Sequence, residues 1–97
     1  MPFGREDLRD TLSQLTAWAR DPESLRRILR LDETQHAALA ERIKVVADAL
    51  QVRPDIRRRN GNTEITLHGP DGGPVTANEV RLAARIEDCY RSVCAAA

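Results

Sequence analysis

The apolar positions of this chain fall into blocks of alternating helical and strand-like period. Near the beginning, Leu8, Leu12 and Leu15 recur at helical spacing behind early acidic residues, which predicts a helix over 5–15. Asp21-Pro22-Glu23-Ser24 then reads as a turn, with proline presetting the backbone after the aspartate. Beyond it the period becomes two: Leu25, Arg27, Leu29 and Leu31 share one face of a strand, and Ile28 sits between arginines on the other. Trp18 stands just before the turn, so "TAWAR" predicts the partner strand of a hairpin. Helical period returns at Asp32, an N-cap with Gln35 placed for the reciprocal bond. Leu39, Ile43, Val46 and Leu50 form the stripe of a helix with one buried face, ending before Pro54.

The second half repeats the scheme. "DIRRRNGNTEITL" predicts a hairpin: Asn60-Gly61 is a strong two-residue turn signal, and Thr63, Ile65 and Leu67 alternate after it. "HGPDGGP" is a loop, and Thr76 with Glu79 makes a Thr-x-x-Glu capping box that opens the last helix. Leu82, Ile86, Cys89 and Val93 line one side of that helix. The order α-β-β-α-β-β-α predicts an α+β fold, a four-stranded antiparallel sheet with helices packed on one face. Ninety-seven residues suit a single domain over 1–97 with one modest core.

Composition narrows the function classes. A formal net charge of zero gives no general attraction to nucleic acid. No apolar run approaches the ~20 residues of a membrane span, and "MPFGREDLRD" has no signal-peptide apolar core, so a cytoplasmic chain is expected. Basic charge is almost all arginine, with Lys44 the sole lysine. Arginine's planar fork suits paired contacts with carboxylates, which favours an acidic protein surface as much as a phosphate.

Candidate chemistry is sparse. Cys89 and Cys94 are the only cysteines, five apart on a predicted helix, without metal-ligand spacing, so two reduced thiols and no metal are expected. His36 reads as a solvated or partly buried helix residue, and His68 as a loop-edge residue. "DGGP" lacks any dinucleotide or Walker pattern and reads as the turn before the capped helix. Arg53, Arg57, Arg58 and Arg59 are four arginines within seven residues. Their bland reading is a solvated edge strand; the functional one is an anion-binding surface.

From about Asp7 to Val93 the chain resembles the pterin-4a-carbinolamine dehydratase family. The resemblance rests on Trp18, the Leu25-x-Arg27-x-Leu29-x-Leu31 strand, "VVADALQVRPDI" at the end of the second predicted helix, and "GGPVTANEVRLAARIED". Family enzymes dehydrate a 4a-carbinolamine pterin with clustered histidines: two adjacent ones before a proline, and a third in the later loop. Imidazole suits that task because its proton exchanges near neutral pH. Matching Pro54 to the family's proline puts Val52 and Arg53 at the adjacent histidines. Valine has no proton to transfer, and arginine stays protonated. A gap-free count places Pro70 at the third histidine and Asn60 at a family aromatic; a gapped pairing places His68 at that histidine instead.

The resemblance therefore implies the fold together with a lost or weakened activity. It points to a protein that acts through protein contacts without a cofactor, as do the dehydratase-like Rubisco assembly factors associated with α-carboxysomes. Rubisco is then the expected partner, and Arg53, Arg57, Arg58 and Arg59 the expected contact residues. The alternative is a dehydratase of weak or altered activity that moves protons with His68, Asp48 or Asp71. Sheet edges and a small core also lead us to expect a homo-oligomer, a dimer above all.

Overall fold

The computed structural model of the chain describes residues 17–95. The helix predicted over 5–15 lies outside the described residues. Within them, four strands and two long helices follow in the predicted order. They are β1 (Ala19–Asp21), β2 (Ser24–Arg30), α1 (Glu33–Leu50), β3 (Asp55–Arg59), β4 (Asn62–His68) and α2 (Ala77–Ala95). The strands form one antiparallel sheet in the spatial order β1-β2-β4-β3, which puts β3 at one edge and the short β1 at the other.

Period two decides what each face carries. Leu25, Leu29, Ile65 and Leu67 turn to one side and are buried with Leu39 and Ile43 of α1 and Val80, Leu82 and Ile86 of α2. Leu31 lies one residue beyond β2 but keeps the same inward side. The opposite face carries Arg26, Ile28 and Arg30 of β2, and Ile28 is 48% exposed there. Both described helices therefore cover the leucine face. No helix among the described residues is long and apolar enough to cross a membrane.

Local chemistry places the element ends. Asp32 accepts from the Gln35 backbone N–H at 2.7 Å, and the Gln35 side chain accepts from the Asp32 N–H at 3.2 Å, the reciprocal box expected at the start of α1. The helix closes through Gln51 in the left-handed region (φ 56°), with the Val52 N–H donating to the Ala47 carbonyl at 3.0 Å. The buried stripe of α1 differs from the expected one: Leu39, Ile43 and Ala47 form it, while Val46 and Leu50 are only partly buried. The i, i+4, i+8 row faces the sheet, and the 3.6-residue turn carries positions 46 and 50 to its flank.

At the other helix, Glu79 reaches back to accept from the Thr76 N–H at 2.7 Å. The Thr76 hydroxyl donates to the same carboxylate oxygen at 2.8 Å, so the second half of the expected capping box is replaced by a side-chain bond. Asn60 (φ 52°) and Gly61 (φ 80°) both take the positive φ that the two-residue hairpin turn needs. In the expected loop 68–74 a single 3₁₀ turn spans Pro70–Gly72. A Cβ on Gly69 would collide with the Gly73 and Pro74 carbonyls, so only glycine lets the loop fold back this tightly. The Gly69 and Val75 N–H groups donate to the Glu23 and Pro22 carbonyls, each at 3.0 Å, which ties the loop to the β1–β2 turn.

One inward strand position is charged. Arg27 shares the leucine side of β2, and Glu87 of α2 answers it: one carboxylate oxygen accepts from Arg27 Nε at 2.9 Å and from Trp18 Nε1 at 2.8 Å. The Arg27 guanidinium also lies 5.8 Å from the Tyr90 ring centroid. Glu87 thus pins the β1–β2 hairpin to α2. Glu87→Ala would leave an indole N–H and a guanidinium without their acceptor at a site with little water. We expect a loss of about 1–3 kcal/mol in chemical denaturation, with Glu87→Gln losing less because its amide oxygen can still accept. A Glu87→Ala stability within error of the parent chain would contradict this role for the carboxylate.

Candidate functional site

Because β3 follows directly on the α1 closure, the positions that matter for chemistry lie at one end of the sheet. β3 begins with Asp55 opposite Thr66, and β4 ends at His68, so Arg53 and His68 belong to that same end. The backbone then separates them by face.

A groove of about 340 Å³ opens on the helix side of β3. Its floor is Ala40, Ala47, Val52 and Ile56, and Lys44, Asp48 and Arg53 stand at its margins. Val52 is 8% exposed and belongs to the hydrophobic core, because the tight closure at Gln51 turns it inward. Arg53 next to it is exposed. Among the described residues neither Lys44 nor Arg53 has an ion-pair partner. The groove can hold an aliphatic group on its floor and a carboxylate at its margin. It contains no imidazole.

A second, open depression of about 460 Å³ lies on the exposed face of the sheet. Arg26, Arg57, Arg59, Glu64 and His68 line it. Glu64 accepts from Arg26 at 2.8 Å and stands 3.9 Å from Arg59, while Arg57 pairs with Asp55 at 3.3 Å. Three guanidiniums thus share two carboxylates. Exposed pairs of this kind hold with only about 0–1 kcal/mol each, so an incoming carboxylate can exchange for one at small cost.

The expected arginine cluster is therefore divided by the pleat. Arg57 and Arg59 point to the open face, and Arg53 flanks the helix-side groove. Arg58 turns inward and donates to the buried Thr63 hydroxyl at 3.4 Å. The same hydroxyl lies 2.8 Å from His36 Nδ1, so His36 is a partly buried structural residue. The three fallback proton carriers are not brought together either. His68 lines the open face, Asp48 the helix-side groove, and Asp71 sits exposed in the 3₁₀ turn beside the equally exposed Pro70.

Of the two thiols, Cys94 is exposed and Cys89 partly buried. Burial pushes the Cys89 thiol above its ordinary range; Arg42 opposes the shift and Asp88 adds to it. That makes Cys89 a poor nucleophile. Among the described residues no group of three His, Cys, Asp or Glu is placed to hold a metal ion. The helix-side groove next to Ile56 carries no motif of its own. Its one sequence signal was the position of Val52 and Arg53 just after the α1 closure.

Comparison with known proteins agrees with this architecture. No curated protein matches the sequence significantly. Among solved structures, the fold is similar to the crystal structure of a transcriptional coactivator/pterin dehydratase from Brucella melitensis. The TM-score is 0.73 at 15% sequence identity, over 92% of this chain and 98% of that one. At that identity the likeness speaks for the fold alone. The profile of the pterin 4 alpha carbinolamine dehydratase family matches residues 1–89, and the chain belongs to that family.

Proposed function

We propose that this family member works by holding a protein partner and has given up carbinolamine dehydration. The observation that carries the reading is the pair of residues ahead of Pro54, where the family resemblance expects adjacent histidines. Val52 is packed into the core and Arg53 is a permanent cation, so neither can take and return a proton. The dispersal of His68, Asp48 and Asp71 over three separate surfaces speaks against a replacement set.

Within this reading the partner presents carboxylates. Arg53, Arg57 and Arg59 are exposed and able to form paired charge-assisted bonds, whereas Arg58 is tied to Thr63 and contributes less. The finer assignment is assembly of Rubisco in the manner of the α-carboxysome-associated dehydratase-like factors, with a place in the cytoplasm beside that machinery. It rests on the resemblance and on the missing histidine pair. Charge reversal at Arg53, Arg57 and Arg59 should weaken capture of purified Rubisco while the circular dichroism spectrum stays unchanged.

The first test is catalytic. Conversion of a synthetic 4a-carbinolamine at neutral pH should run at the uncatalysed rate in the presence of this chain. Turnover comparable to a histidine-bearing family enzyme would overturn the proposal in favour of dehydration.

We also propose a homodimer, since the sheet has two edges and the core is small. Light scattering at micromolar concentration should give twice the chain mass. A monomer across that range contradicts it.

A further inference from the structure

We draw no further inference here: the strongest candidate, the groove of about 560 Å³ between α1 and α2 lined by Val45, Val46, Ala49, Leu50 and Ala84, is an unpartnered apolar face, and nothing in the structure shows what covers it.

Discussion

The structure depends on a sheet that, among the described residues, is covered by helices on one face only. With a side-chain period of two, each strand residue is committed either to the helices or to the open side, and a slip of one residue would reverse every commitment. The Asn60–Gly61 turn holds the register of β3 and β4, and that register turns Ile65 and Leu67 inward. The same constraint sends Arg57 and Arg59 outward and drives Arg58 toward Thr63. On β2 it leaves Arg27 on the leucine side, where the fold supplies Glu87. Core and charged surface are two results of one alternation.

Much of this was legible in the sequence because the signals were local. The Asp32–Gln35 box, the Asn60–Gly61 turn and the alternating leucines of β2 each act within a few residues, and the structure shows each of them in place. The α1 stripe was less legible. Val46 outranks Ala47 in hydrophobicity, yet the helix's orientation against the sheet, a tertiary matter, buries alanine and leaves valine at the flank. The partner of Arg27 lies sixty residues away on α2, so no local pattern could name it. The site suffered most from this limit. Four arginines close in sequence look like one patch, and only the pleat shows them as an outward pair, a groove flank and a half-buried tie to Thr63.

That division matters for function. In a family whose resemblance calls for histidines before Pro54, the α1 closure now delivers a core valine and an exposed arginine to those positions. Val52 is packed into the core and Arg53 is a permanent cation, so neither can take and return a proton. The neighbouring edge strand, rich in guanidiniums and open on its outer side, offers the most concentrated positive charge near that groove.

The central proposal is that this chain has given up carbinolamine dehydration, with no pterin held beside Val52 and Arg53. Its most direct test is a titration of the isotope-labelled chain with a stable tetrahydropterin analogue, followed by amide chemical shifts. The account predicts no saturable shift at Asp48, Val52, Arg53 or Ile56 up to millimolar ligand. Saturable, clustered shifts at those four amides would show a pterin site still built there and would contradict it.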